Sequence, residues 1–248
     1  MQREVWNNIP LLHVYNEEIK QDAPIVLFLH GFMSAKEHNL HYAYNLVEKG
    51  IRVILPDAPL HGERVENVSE LQMNAAFWRI VLKYVKEVQE IYEELQGRGF
   101  NGKIGVIGTS MGGITTTGCL KKYDWIDAAG VLMGAVNYTE MAQFQIKQLE
   151  EQGIDVPMTA EQQQAMLEVL QEYNVTTNLA IFERIPVVFW HGQKDPVVPF
   201  QMTYPFYDTL VQQGRAQTVR YIVDEKAGHA VSRAGVLAVT DWLAQHLA

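Results

Sequence analysis

The stretch Lys103-Ile104-Gly105-Val106-Ile107-Gly108-Thr109-Ser110-Met111-Gly112-Gly113 decides how the rest of the chain is read. Ile104, Val106 and Ile107 form a short apolar run of β-branched residues, the pattern of a strand buried on both faces. Gly108, Ser110 and Gly112 then make G-x-S-x-G, and residues 114–121 can continue as a helix. Strand, tight turn and helix in that order hold a serine at the apex of a strained turn, with its Oγ exposed at the carboxyl edge of a sheet. The helix that begins there also aims free N–H groups at any negative charge developing beside the serine. A glycine-rich turn with a serine N-cap has the same local pattern, so the surrounding chain must distinguish the two.

On the amino-terminal side, residues 11–15 read as an early edge strand. Residues 24–30, PIVLFLH, read as a clearer one that ends at His30-Gly31-Phe32-Met33. Ser34 and Glu37 have the spacing of a capping box, ahead of a helical pattern over 36–49 closed by Gly50. A strand at 51–55 leads into the polar loop Pro56 to Arg64, and one long amphipathic helix is expected from 69 to 95. On the carboxyl side, strands are expected at 128–133, 185–191 and 218–223, with helices at 199–213 and 234–247. Strands alternating with helices predict an α/β fold with a mostly parallel sheet covered on both faces. One segment interrupts the alternation. Residues 137–183 carry helical patterns at 140–152 and 159–173, separated by Gly153 and Pro157, with no strand between them. They read as an insertion over the carboxyl edge, a helical lid, within a single domain spanning residues 1–248.

The chain has 248 residues, 48% of them hydrophobic, enough for one substantial core. Its 29 acidic and 20 basic residues give a net charge of −9, which argues against nucleic acid and anionic membrane surfaces as partners. The first ten residues, MQREVWNNIP, lack the apolar stretch of a signal peptide, and no apolar run is long enough to span a bilayer. A cytoplasmic location is the expectation. The single cysteine, Cys119, excludes an internal disulfide and a cysteine-rich metal site, and reads as a packing residue.

A serine hydroxyl at neutral pH needs a base, and that base needs an orienting acid. Two loops after later strands offer them: His191-Gly192-Gln193-Lys194-Asp195-Pro196 and Ala227-Gly228-His229-Ala230. In a parallel sheet the carboxyl ends of the strands lie on one edge, where Ser110, Asp195 and His229 can converge. They occur in the order Ser, Asp, His that accompanies G-x-S-x-G turns.

With these pieces in place, the chain resembles the α/β-hydrolase superfamily. Within it, the chain is similar to small bacterial serine esterases of the dienelactone-hydrolase and prolyl-oligopeptidase-like branch. The matching motifs are HGFMS (30–34), DAPLHGER (57–64), GTSMGG (108–113), HGQKDPVVP (191–199) and AGHA (227–230). The resemblance implies Ser110 as nucleophile, Asp195 as acid and His229 as base, with an oxyanion hole from the backbone N–H groups of Phe32 and Met111. Serine at position 110, where a dienelactone hydrolase has cysteine, sets that activity aside. The implied reaction is hydrolysis of a small carboxylic ester, of short or medium acyl length, with neither metal nor cofactor. The same acyl-enzyme serves a peptidase, an amidase or an acyltransferase, and a silent binding scaffold is a further alternative.

The remaining candidates are secondary. Met33, His61 and Arg64 follow strand ends and are expected near the substrate pocket. His30 and His191 read as loop anchors. His38 and His41 stand three apart on a helix without a third ligand, so no metal site is expected. Asp57 and Asp224 rival Asp195 as the acid, with Asp57 in the wrong chain order and Asp224 close to its strand end.

Overall fold

A computed structural model describes residues 1–154 and 158–248; Pro157, expected to divide the two inserted helices, lies outside the described residues. The elements run β1 (Gln2–Trp6), β2 (Ile9–Val14), β3 (Ile25–Leu29), α1 (Leu40–Val47), β4 (Arg52–Pro56), α2 (Glu70–Ala75), α3 (Phe77–Gly97), β5 (Ile104–Thr109) and α4 (Met111–Lys122). They continue with β6 (Ala128–Leu132), α5 (Tyr138–Glu151), α6 (Ala160–Gln171), α7 (Ile181–Arg184), β7 (Val187–Gly192), α8 (Tyr204–Gln212), β8 (Val219–Asp224) and α9 (Arg233–Leu247). The sheet order is β1-β2-β4-β3-β5-β6-β7-β8, with the β1–β2 and β2–β4 pairs antiparallel and all the others parallel. This is the α/β-hydrolase fold.

The central strands are buried throughout, as their unbroken apolar runs require. Their alternation assigns two cores. Ile25, Leu27 and Leu29 of β3 face α3 and α4, while Val26 and Phe28 face Tyr42 and Leu46 of α1 and Val239 and Leu243 of α9. β3 pairs with β5 from Ile25↔Ile104 to Leu29↔Gly108, so the His30 loop and the Ser110 turn leave the sheet side by side.

Three expectations shift. The strand β1 was not anticipated, because QREVW is largely polar and lies at the sheet's edge. It is joined to β2 by Asn7-Asn8, both at positive φ, the geometry of a tight hairpin turn. The Ser34/Glu37 capping box does not form. A 3₁₀ turn at Lys36–Asn39 precedes α1, Ser34 Oγ bonds His38 Nδ1 at 3.0 Å, and the Lys36 amide donates to Asp57 instead. The long helix expected over 69–95 is two helices meeting at Ala76. Ser69 does cap the first, in a capping box with Gln72. Among the described residues no helix is long and apolar enough to cross a membrane.

The segment 137–183 leaves β6 and returns to β7 as helices without a strand, as expected. Its base is pinned: Asn137 caps α5, the Tyr138 hydroxyl donates to the Ile114 carbonyl at 2.7 Å, and buried Asn174 accepts from the Tyr138 amide. Farther out, Trp78 Nε1 donates to Gln145 Oε1, and Met158, Met166 and Val169 face Trp78 and Leu82 of α3 across an open cavity of about 530 Å³.

Candidate active site

The turn at Ser110 has the strained geometry that its sequence predicts. Ser110 sits at φ 52°, ψ −116°, a conformation that side-chain-bearing residues avoid. The backbones of Gly108 and Gly112 press on one another, and Gly112 also meets the Leu29 carbonyl. A Cβ at either position would overlap main-chain atoms. The glycines of G-x-S-x-G therefore let β5, α4 and the end of β3 close around a serine whose own backbone is held by Ser110 N–H donating to Leu132 O at 2.8 Å.

The two later loops arrive beside it. Lys194 N–H donates to Ala227 O at 3.0 Å, tying the loop after β7 to the loop after β8. His229 Nε2 lies 2.8 Å from Ser110 Oγ, and its Nδ1 lies 2.7 Å from Asp195 Oδ2. The other oxygen of Asp195 accepts the backbone N–H groups of Val197 and Val198 at 2.9 and 3.0 Å. Burial pushes the Asp195 carboxyl up, but the hydrogen bonds from His229, Val197 and Val198 outweigh it and hold the group below its ordinary range. Nearby, His191 donates from Nε2 to Val198 O at 2.8 Å, and burial lowers its pKa. It steadies the Asp195 turn from beneath, the loop-anchoring role expected of it.

Neither rival acid faces His229. Asp224 Oδ1 accepts from Lys226 and Ala227 N–H at 3.1 Å each, closing the turn that leads to the histidine. Asp57 is fully buried on the other loop. It accepts from the Lys36 and Glu63 amides and pairs with Lys36 Nζ at 2.5 Å, while that ammonium also reaches Glu63 at 2.7 Å. Lys36 is buried too. Its ammonium is held above its ordinary pKa because these carboxylates outweigh the desolvation. Asp57 stands in the DAPLHGER motif, but nothing in the sequence pointed to Lys36 as its partner.

The secondary candidates divide. Gly31 packs against Ser110, so a Cβ on it would stand 3.4 Å from the serine Cβ. That brings Phe32, the next residue, to the serine's edge. Among the described residues the Phe32 and Met111 N–H groups have no protein acceptor, the second because it opens α4. Met33, at φ 57° and 65% exposed, and His61 both line a cavity of about 380 Å³ shared with Leu60, Val65, Val68 and Met73. Arg64 does not join them. Its guanidinium turns inward to a bidentate pair with Glu87, 2.7 Å on each arm, and to the Asp57 carbonyl at 3.0 Å, because a buried carboxylate on α3 faces it there. His38 and His41 take no third ligand, and no cluster of metal-binding side chains occurs among the described residues. Cys119 is buried on α4, where desolvation raises its thiol pKa, leaving it inert.

Residues 83–248, which contain all three of Ser110, Asp195 and His229, match the model of the prolyl oligopeptidase family. The chain belongs to that family. It is a serine hydrolase. Along its full length it is 42% identical to "Putative esterase YitV" of Bacillus subtilis (strain 168), covering 99% of that protein. It is 28% identical to "Esterase YjfP" of Escherichia coli (strain K12), with 97% of this chain and 96% of that one aligned. Among solved structures, TT1662 from Thermus thermophilus superposes with a TM-score of 0.77 at 19% identity, covering 99% of this family member and 97% of that chain.

Proposed function

We propose that the protein is a carboxylesterase that cleaves small esters of short or medium acyl length through a Ser110-His229-Asp195 triad. The observation that carries this reading is the unbroken relay from Ser110 Oγ through the His229 ring to Asp195, with the serine on a strained turn. Asp195 accepts a hydrogen bond from the Nδ1–H of His229, which leaves Nε2 as the acceptor for the serine hydroxyl. As Oγ attacks the acyl carbon, His229 takes its proton, and the carbonyl oxygen becomes an oxyanion between Phe32 N–H and Met111 N–H. His229 then gives the proton to the departing alcohol. Water repeats the sequence on the acyl-enzyme and releases the acid. The names of the two esterase relatives support an ester as the substrate.

The segment 137–183 acts in this reading as a lid within the single 1–248 domain, limiting the acyl chain that reaches the serine. A peptidase activity on the same triad is the second reading, favoured by the family match. A panel of p-nitrophenyl esters of rising acyl length, beside a panel of aminoacyl anilides, separates the two. The account expects turnover of acetyl to hexanoyl esters and none of the anilides. Anilide cleavage at comparable kcat/KM would replace the esterase reading with the peptidase one.

A further inference from the structure

Two histidine-glycine pairs stand on neighbouring loops, His30-Gly31 after β3 and His61-Gly62 after β4, and their rings meet edge to face with centroids 5.3 Å apart. Both rings are buried. Their hydrogen bonds mirror one another. His30 Nδ1 lies 2.8 Å from the carbonyl of Gly31 on its own loop, and its Nε2 lies 3.0 Å from the Ala58 N–H on the opposite loop. His61 Nδ1 lies 2.8 Å from the carbonyl of Pro59 on its own loop, and its Nε2 lies 3.0 Å from the Met33 N–H on the opposite one.

The partners fix the protonation of both rings. A carbonyl can only accept and an amide N–H can only donate, so each ring must carry its proton on Nδ1 and leave Nε2 bare. A second proton would set N–H against N–H at both cross-loop contacts. Burial keeps both imidazoles below their ordinary pKa, His30 at about 4, which holds them neutral at pH 7.

The peptides held in this way are the ones that matter to the serine. The Gly31 carbonyl and the Phe32 N–H belong to one planar peptide unit and point in opposite directions. Holding the carbonyl with His30 Nδ1–H therefore aims the Phe32 N–H. The next unit carries the Met33 N–H, which His61 holds, in a residue at positive φ whose strain must be sustained by its surroundings. His30 and His61 thus hold two successive peptides on either side of Phe32. Gly62, at φ 55°, lets its own loop fold tightly over Asp57, since a Cβ there would overlap that carboxylate.

We propose that His30 and His61 are positioning residues for the reaction, a reciprocal latch between the two loops that aims the Phe32 N–H at the oxyanion. The proposal rests on the reading of Ser110 as nucleophile. In His61→Leu the ring's bulk is largely kept but the acceptor for Met33 N–H is lost. Removing an oxyanion donor outright lowers kcat on the order of 10²–10³-fold, and a donor that is only misdirected loses less, about 10- to 100-fold. For p-nitrophenyl acetate the expected result is a fall of that size in kcat with KM changed by less than about twofold, and a parallel loss of affinity for a trifluoromethyl ketone analogue. His61→Gln, whose Oε1 can reach the Met33 N–H, should recover most of the kcat. A normal kcat in folded His61→Leu overturns the latch. Nitrogen NMR of the wild-type protein reads the same claim without a variant: both imidazoles should show the neutral Nδ1–H tautomer at pH 7, and an Nε2–H tautomer at either one overturns it. Ser110→Ala in the same assay keeps the two readings apart. If it is inactive while His61→Leu turns over normally, the latch alone has failed; if Ser110→Ala retains turnover, the nucleophile assignment has failed.

Discussion

The loops at the carboxyl edge of the sheet and the helices of segment 137–183 are built on opposite principles. Around Ser110, strained backbone is held by buried partners, Ser110 by Leu132 O and Met33 by His61, and the Asp195 carboxylate is fixed by the Val197 and Val198 N–H groups. The inserted helices are anchored at their base by Tyr138 and Asn174. Beyond that they are mostly exposed, with Leu170 the one buried residue of α6. Strain survives where surrounding bonds over-determine it, and a segment packed on one side can move at little cost. In the proposed reading, chemistry belongs to the first region and selection of substrate to the second.

The sharpest way to break that contrast is to remove chemistry without touching packing. His229→Ala should lower kcat for p-nitrophenyl acetate by roughly 10⁴–10⁶, and Asp195→Asn by on the order of 10⁴ through loss of the correct tautomer, with circular dichroism unchanged. A loss below tenfold in His229→Ala would remove the edge loops from the chemistry.

The over-determination of the same region can be tested through Lys36. Lys36→Met leaves the Asp57 carboxylate buried without its cation, which should destabilise the fold by about 3–5 kcal/mol in urea denaturation. A change under about 1 kcal/mol would mean that the amides of Lys36 and Glu63 suffice to hold Asp57.

Acid stability probes the buried imidazoles. His30 titrates at about 4 in the fold, against an ordinary value of about 6.5, so between those values the unfolded chain binds more protons. Stability is therefore full above about pH 6.5 and is lost as pH falls toward 4, by about 3 kcal/mol from this group. His13, His61 and His191 are shifted in the same direction by burial. Thermal denaturation of wild type and His30→Asn from pH 8 to pH 4 should show a smaller acid loss in the variant. Equal slopes would remove His30 from the account.

The smallest effect is expected from the second region. Replacing 140–172 with a short Gly/Ser linker should leave the sheet folded and change kcat/KM for the acetyl ester only severalfold, while the preference among acyl lengths shifts toward longer chains. Unaltered selectivity in a folded deletion would make the segment a surface insertion.

The two regions also differ in how much the sequence discloses. The meeting of Ser110, Asp195 and His229 was legible because each stands in a short motif at a strand's end, and a parallel sheet brings such ends to one edge. Strand β3 was legible because five consecutive apolar residues leave few other readings. What escaped depends on partners distant in the chain. Lys36 and Asp57 are 21 residues apart, and Arg64 and Glu87 are 23 apart. A lone charged residue carries no mark of whether it will face solvent or a buried counter-ion. Arg64 was expected at the pocket because it follows a strand end, and nothing local marked Glu87 as its partner. The capping box at Ser34 and Glu37 failed through the same ion pair, since Asp57 draws Lys36 and its amide inward. The inserted helices were readable from their helical patterns, and Asn137 and Thr159 cap them in the structure, but the face each would present was not legible.

The central claim is that Ser110 is the nucleophile, and fluorophosphonate labelling followed by peptide mass spectrometry tests it most directly. The account predicts one phosphonyl adduct per chain, on Ser110, abolished in Ser110→Ala and strongly slowed in His229→Ala. An adduct on another residue, or labelling of Ser110→Ala at the wild-type rate, would contradict it.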